Sequence, residues 1–578
     1  MGWAADTARG AGWSARSTGR RGCWPPPSWS ARSCLPTSRR ITSRRRQLFV
    51  AAIAATLALG ACQPVATVPK PAHGGTAVEA LVGQAGVLNP LFEGDDTARD
   101  VDSVIYQGLT TVDQGQNVVG LLATDWTISN DHLTYTFNIR TGVRWADGQA
   151  FTVDDVLFTY HVLQDLEYQQ PGAAFWRQVG IAAGGPNQVV FTLRAPSAGF
   201  PLALRVGIIA KHLFDGMAPA QIVASDFSGI RAIGTGPFKV GGINSLAITL
   251  DRNPFADPQP YLDHLILRTY PVSDPQTAIR AVLQGAADLV GGLEPPEVLA
   301  LQGRTDVNIQ EVRSFTNAFV TFNPDGIGRQ FFSDVKVRLA LTQAVDRQRL
   351  VNEVLAGRGD TDPTPIPTGD WAYSASAAGS HPYDPIAAAK ALDAAGWVLV
   401  PGNKLRSKGG QPFKFDLVVA GPFPTNEVAA GVARQLLEIG IEADVRPVSA
   451  SDLVQKYLLG HNYLAALVAI DVGSDPDQYT LWHSGLDPGT LNFAFTRGWG
   501  LIDKDLEDGR AAADQPSRLA AYLDFQSQMV DAAPAIFLYS PHYDYAVSQR
   551  VHGVRINSVI EPVDRFQYVT QWYVNTSA

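Results

Sequence analysis

The run LFVAAIAATLALGA at residues 48–61, followed directly by Cys62, divides the chain into two parts with different expected fates. It is 14 residues long and uncharged, whereas a membrane-spanning helix needs roughly 20 apolar residues. Arg44, Arg45 and Arg46 flank it on the N-terminal side and small residues close it, which is the layout of a secretory signal peptide. Export is expected, with everything before Cys62 removed.

Leu59-Gly60-Ala61-Cys62 resembles the lipobox of bacterial lipoproteins. That resemblance implies acylation of Cys62, cleavage before it, and anchoring of the mature N-terminus at the extracytoplasmic face of the cell membrane; a plain signal peptide with an incidental cysteine is the alternative. Arg45-Arg46-Gln47-Leu48-Phe49 is similar to a twin-arginine export signal, and an ordinary basic flank fits as well. Residues 1–40 hold four Trp, Cys23, Cys34 and Pro25-Pro26-Pro27 without apolar periodicity. Translation is expected to start just upstream of Arg44, a long basic leader being the alternative. Residues 1–61 are thus read as leader plus lipoprotein signal.

Those 61 residues carry ten Arg and one Asp, so their removal turns a net charge of −9 into −18. A strongly acidic mature chain argues against nucleic acid and anionic membrane as partners, since both attract clustered Lys and Arg. Cys62 is the only cysteine after residue 61, so no disulfide is available within the mature chain. A disulfide-free exported chain of 517 residues needs large apolar cores, and the length predicts two or three domains.

Residues 62–75, rich in Pro and small side chains, read as an extended tether. A first strand follows at 76–82, then a turn at Asn89-Pro90. Leu133, Tyr135, Phe137 and Ile139 alternate with polar residues, the period of a half-buried strand. Asp147-Gly148 supplies a turn, and Thr152 with Asp155 predicts a capping box ahead of Val156, Leu157 and Tyr160. Asp274-Pro275 and Asp384-Pro385 predict capped helices ending near Gly285 and Gly396. Asp334 is placed to cap a helix whose apolar stripe is Val337, Ala340, Leu341, Ala344 and Val345. Residues 413–419 and 465–470 have the length and composition of buried strands. Alternating helices and strands predict an α/β architecture.

Catalytic signatures are missing: there is no G-x-S-x-G, H-E-x-x-H, paired C-x-x-C or G-x-x-x-x-G-K-[ST]. The ten His are scattered singly, and nothing requires a metal or a cofactor. Gly234-Thr235-Gly236-Pro237-Phe238 is read as a structural turn into a hairpin, because Pro237 removes a backbone donor that a phosphate cradle would need.

Taken in order, many segments resemble family 5 of the solute-binding proteins of ABC importers, which includes oligopeptide, dipeptide and nickel carriers. They are Asn89-Pro90-Leu91, Tyr106-Gln107-Gly108-Leu109, Leu122-Ala123 with Trp126, residues 137–140, Gly142-Val143, Asp147-Gly148, and Thr152 with Asp154-Asp155-Val156. Next come residues 234–238, Arg252-Asn253-Pro254, Tyr261-Leu262-Asp263, and Gly285 with Asp288-Leu289. Val337-Arg338, Ala344-Val345-Asp346, residues 383–397 and Asp475-Pro476 complete the set, which spans about residues 76–545.

The resemblance implies a two-lobed, periplasmic-binding-protein-like (class II) α/β clamp with an extra small subdomain. Lobe I would comprise 76–97, 205–316 and 541–578, the small subdomain 98–204 and lobe II 317–540. Ligand would lie between the lobes, lined by Asn89, Glu93, Asn317, Phe319, Asp471 and Tyr539. Core packing is the competing role for Phe319 and Tyr539, and an ordinary strand-end position for Asp471. In the family's peptide carriers a carboxylate binds the ligand's α-ammonium; counted back from Asp475-Pro476 that position is Val472, and the aromatic that usually precedes it is replaced by Ala469. A one-residue shift along a strand turns a side chain to the other face, so Asp471 is displaced from that role unless the loop adjusts.

The expected function is a monomeric, lipid-anchored binding protein, not an enzyme, that captures peptides for the membrane subunits of an ABC importer. The same fold binding an oligosaccharide, an opine-like compound or a metal chelate is the first alternative. An exported hydrolase, and a docking or sensor role, are the others.

Overall fold

The computed structural model describes residues 70–92, 94–421, 424–486, 491–494, 499–512 and 514–577. The apolar run, Cys62 and Glu93 lie outside the described residues. The tether expected over 62–75 is already folded at its end: Lys70–Ala72 pairs antiparallel with Asn575–Ser577. The chain then turns through Gly74 and Gly75 at φ +118° and +85°, a region open to glycine at little cost.

One large sheet of 13 strands organises the rest. Its strands are β1 (Thr76–Val82), β2 (Phe238–Asn244), β3 (Ala247–Arg252), β4 (His264–Tyr270) and β5 (Leu289–Gly291). β6 (Val307–Ser314) leads through Phe315 into β7 (Thr316–Phe322), followed by β8 (Gly359–Thr361), β9 (Lys414–Ala420), β10 (Glu442–Val448) and β11 (Ala465–Asp471). β12 (Ala535–Ser548) and β13 (Ser558–Val559) complete it. The spatial order is β10-β9-β11-β7-β12-β5-β1-β4-β3-β2, with β6 and β8 also paired to β12 and β13 to β6.

The helices of eight or more residues are α1 (Asp96–Ile105), α2 (Val153–Gln164), α3 (Gln276–Leu283), α4 (Val335–Gln343), α5 (Arg347–Val354), α6 (Pro385–Ala394), α7 (Thr425–Glu438), α8 (Gly500–Ala511) and α9 (Gln515–Ala532). The alternation of helices and strands makes the fold α/β, as the sequence predicts.

β12 is the long member that both halves share. Residues 535–539 pair with β7, Ser540 and Pro541 lie opposite β8, and residues 542–548 pair with β6. The chain crosses between the halves at Phe315 and again within β12. Each half has its own apolar core, one centred on Leu265, Leu267 and Trp572, the other on Phe322, Leu341 and Leu417. The result is a two-lobed clamp.

Residues 123–192 carry a separate antiparallel sheet in the order Ala123–Ile128, Thr134–Ile139, Gln188–Thr192, Gly180–Gly185. Tyr135, Phe137 and Ile139 are buried, as their alternation requires. At the start of α2, Asp155 accepts the Thr152 backbone N–H at 2.8 Å. The Asp334 and Asp384 caps form, and every member of the Val337–Val345 stripe is buried. The cap expected of Asp274 does not form. Helix α3 opens at Gln276 with Pro275 at the cap position, and the Asp274 carboxylate is taken by Arg280 at 2.6 Å.

The 234–238 segment is a structural turn. A Cβ on Gly234 would stand 1.9 Å from the Ile105 carbonyl oxygen, and the Gly236 N–H donates to that same oxygen at 2.7 Å. The glycines let this turn close onto the C-terminal end of α1 before the β2–β3 hairpin begins. No helix of the described residues is long and apolar enough to cross a membrane.

Candidate ligand-binding cleft

The antiparallel β7–β11 pair sets the geometry of the cleft. Thr316, the first residue of β7, stands opposite Asp471, the last of β11, and its hydroxyl donates to the Asp471 carboxylate. One residue on, the Val472 N–H donates to the Phe315 carbonyl at 3.0 Å. Val472 then joins a small apolar cluster with Val112, Val118, Leu202, Phe315 and Ile560. The period-two rule is visible here: Asp471 is exposed, while its neighbour packs against apolar groups from the opposite side.

A cavity of about 440 Å³ has one wall from Gln116, Asn117, Val118, His132, Tyr135 and Leu202. Trp371, Ser474, Asp475, Gln515 and Arg518 form the facing wall. Arg518 pairs with Asp475 at 2.6 Å and lies 5.5 Å from the ring centres of both Trp371 and Tyr522. Behind them Arg510 pairs with Asp477 at 2.7 Å and sits 4.0 Å over Tyr479. Charge on this wall is therefore locally balanced, and the guanidinium of Arg518 is oriented by two aromatic faces.

Burial pushes the Asp370 carboxyl up to about 7, with Asp475 adding to the shift and the Ala372 N–H and Arg518 opposing it. Burial likewise takes the Tyr135 hydroxyl to about 12; that hydroxyl donates to the Ser197 carbonyl at 2.8 Å. Two contacts to main-chain carbonyls join the walls directly: His132 Nδ1 to Ala511 at 3.1 Å, and the Ala198 N–H to Arg510 at 2.9 Å.

A second cavity of about 200 Å³ is lined by Asp96, Arg99, Asp100, Asp471, Glu561, Pro562 and Val563. A third, of about 390 Å³, shares Arg99, Glu561 and Val563 with it and extends to Tyr106, Arg205 and Gln567. Arg205 pairs with Asp564. Burial raises the Glu561 carboxyl; Asp564 and Asp471 reinforce the shift, while Arg99 and Arg205 oppose it.

Of the residues the sequence singled out, Asp471 lines one of these cavities. Asn89 is buried and holds its own turn, donating to Ser228 Oγ at 3.0 Å and accepting the Leu91 N–H at 3.1 Å. Phe319 is packed among Trp482, Phe493 and Phe537, with ring centres 5.2–5.7 Å away. Tyr539 lies opposite Ala318 inside the lobe core, where burial pushes its hydroxyl well above the usual range. Asn317 is buried and donates to the Thr364 carbonyl at 3.1 Å. None of these four lines the three cavities. Gln116, Trp371, Arg518 and Glu561 do, and no local pattern marked them; Tyr135 also does, and the sequence marked it only as an inward residue of a half-buried strand. Asp475 also does, and the sequence flagged it only as half of an Asp-Pro pair.

No group of three or more His, Cys, Asp or Glu among the described residues could hold a metal ion. The arrangement is a partly polar, partly apolar enclosure between two walls, suited to holding a small molecule.

Comparison with known proteins agrees with this geometry. A family profile described as "Bacterial extracellular solute-binding proteins, family 5 Middle" matches residues 117–491. The oligopeptide-binding protein AppA of Bacillus subtilis (strain 168) is 28% identical over 496 residues, covering 84% of this chain and 90% of AppA. The structure of B. subtilis AppA in complex with a nonapeptide superimposes with a TM-score of 0.71 at 25% identity, covering 88% of this chain and 100% of that one. NikZ from Campylobacter jejuni in complex with Ni(L-His) gives 0.71 at 22% identity, covering 86% and 99%. AgaA from A. tumefaciens R10 in complex with agropinic acid gives 0.68 at 21%, covering 87% and 99%. With the profile spanning most of the chain and the two-lobed clamp shared throughout, this protein belongs to the family 5 extracellular solute-binding proteins of ABC importers.

Proposed function

We propose that this protein captures peptides in the cleft between its lobes and hands them to the membrane subunits of an ABC importer, while lipid on Cys62 holds it at the extracytoplasmic face of the membrane. It acts as a monomer and not as an enzyme. Lobe I comprises 76–97, 205–316 and 541–578, the small subdomain 98–204, and lobe II 317–540.

The observation that carries this reading is the 440 Å³ cavity, whose wall mixes apolar surface with a balanced Arg518–Asp475 pair. A peptide presents alternating amide dipoles and apolar side chains, and such a wall meets both without demanding net charge. AppA, whose similarity extends over 84% of this chain, carries peptide binding in its name. In this reading Asp471, with Glu561 across the 200 Å³ cavity, takes the ligand's α-ammonium, while Asn89, Asn317, Phe319 and Tyr539 support the cleft from behind. Glu93 remains a proposed contact from the turn after Asn89.

A second reading has its own support. Val472 sits in an apolar cluster, which suits a ligand that brings no ammonium to that point: an opine-like compound, an oligosaccharide or a metal chelate.

Thermal unfolding of residues 63–578 against di- to octapeptides, sugars and metal chelates separates the two. A ligand at about 100 times its dissociation constant adds about 2.7 kcal/mol to stability. Stabilisation by free peptides that is lost on N-acetylation and in Asp471→Asn supports peptide capture; stabilisation by another class alone overturns it and leaves the clamp intact.

A further inference from the structure

Midway along β12, where the strand passes from one half to the other, charged side chains surround His542. Ser540 and Pro541 lie opposite Asp360 and Gly359 of β8, whereas His542 lies opposite Arg313 of β6, so His542 is the first residue of β12 paired with the other half. Its backbone N–H still reaches back to the Arg358 carbonyl at 3.1 Å. The ring is largely buried, with 15% of the side chain exposed.

Both ring nitrogens face carboxylates, one from each half. Nδ1 is 2.5 Å from Glu311 on β6, a neighbour within the β6–β12 ladder. Nε2 is 3.3 Å from Asp360 on β8, buried and without an aligned hydrogen bond among the described residues. The other charges are paired across the same boundary: Arg358 with Asp544 and, at 3.1 Å, with Glu311, and Arg313 with Asp360 at 2.9 Å. Two cations thus stand against three carboxylates, and a protonated imidazole is the charge that balances them. Asp362 and Tyr373 act on Asp360 from the segment that follows it.

We propose that His542 makes the hinge of the clamp acid-sensitive, its protonated ring tying Asp360 to Glu311 and shifting the protein toward the closed arrangement. A neutral imidazole has one N–H and one lone pair, so it serves only one of two facing carboxylates and sets a lone pair against the other; the imidazolium donates to both. The Glu311 contact lies within the β6–β12 ladder and moves with it. The Asp360 contact crosses the boundary and lengthens as the halves rotate apart. It is therefore the one that distinguishes closed from open, and only such a difference can shift the equilibrium. Histidine ordinarily changes charge between about pH 5 and 8, so closure is favoured at the acid end of that range and relaxes at the alkaline end. The device needs the clamp alone and is the same whatever ligand the cleft takes.

Small-angle scattering of ligand-free residues 63–578 at pH 5.5 and pH 8, at equal ionic strength, tests it. The parent should have the smaller radius of gyration at pH 5.5, with an open-to-closed ratio about 5-fold lower than at pH 8, the low end of couplings between sites. His542→Gln keeps an N–H donor but carries no charge at either pH, and it should lose most of that response. Asp360→Asn removes the carboxylate across the boundary and should shrink the response too, which keeps the outcome readable if His542→Gln does not fold. Equal radii in the parent at the two pH values, or a response that survives undiminished in a folded variant of either kind, overturns the proposal. In the second case the titrating group is another, such as Asp362 or Asp370, which burial pushes up to about 6 and about 7.

Discussion

Arg565 is the residue on which the C-terminal segment depends. It is 3% exposed, contacts Glu79 on β1 at 2.6 Å, and reaches both oxygens of Asp100 on α1 at 2.6–2.7 Å; Tyr545 adds a bond to Glu79 at 2.8 Å. Burial raises the Glu79 carboxyl, and Arg565 is the main group holding it down. Arg565→Met leaves two buried acids facing each other, and breaking such a network costs about 3–5 kcal/mol. Urea unfolding of the variant should show that loss, and it should be smaller at low pH, where the acids protonate. Asp370 predicts a pH effect of known sign. Its carboxyl rests near 7 in the fold against 3.8 unexposed to such burial, so its contribution is present in acid and is lost as pH rises toward and through 7. Asp370→Asn should therefore match the parent near pH 4 and be more stable at pH 8, by roughly 1.4 kcal/mol for each unit of displacement retained. Thermal scans across that range check it; equal pH profiles for the two proteins would refute the assignment. At this scale little of the site was legible beforehand. Asp471 could be read from its offset to Asp475-Pro476, but Arg518 meets Asp475 from 43 positions away, and Glu561 shares a cavity with Asp471 from 90. No window of sequence contains both members.

Helices and turns are where the sequence was most informative, because each signal lies within a few consecutive residues. Asp334 stands beside the N–H it accepts, at Lys336, and the stripe from Val337 to Val345 reports its own buried face. Asp274 shows the limit of that grammar: an Asp-Pro pair predicts a cap, yet Arg280 within the same helix competes for the carboxylate and wins. The two sites should respond differently. Asp334→Ala removes a formed cap and should cost about 0.5–2 kcal/mol, whereas Asp274→Ala removes an exposed ion pair worth at most about 1 kcal/mol. Gly234→Ala should be worse than either, because its Cβ would lie 1.9 Å from a backbone oxygen that cannot swing aside. Chemical denaturation of the three variants ranks them. Sheet order, in contrast, was beyond reach. The pairs that β12 makes within each half, such as Leu289 with Val547 and Phe319 with Phe537, depend on packing across more than 200 residues, and periodicity does not say which edge meets which.

For the whole molecule, what matters is how the two lobes are held against each other. The covalent links between them are the Phe315 connection and the middle of β12, both on one side of the cleft, so opening rotates the lobes about that edge. Across the cleft the contacts include the Ala198 and His132 links to α8 and the apolar cluster of Val112, Val118, Leu202, Phe315, Ile560 and Val472, while beside β12 Arg358 pairs with Asp544 and with Glu311, and Arg313 with Asp360. Val472 is the member of that cluster that β11 carries in from the other lobe. A ligand can drive closure only by the extra affinity it has for the closed state, so any closure energy already present in these contacts lowers what the ligand must supply. Val472→Asp places a carboxylate among apolar side chains, where it is penalised unless a cationic group meets it. If that penalty is about 1–3 kcal/mol, the open-to-closed ratio of the ligand-free protein rises about 5- to 150-fold. Small-angle scattering should then give a larger radius of gyration for ligand-free Val472→Asp than for the parent, and a larger compaction when ligand is added. Identical scattering from the two proteins would mean that the cluster contributes nothing to closure and that the polar contacts between the lobes hold it.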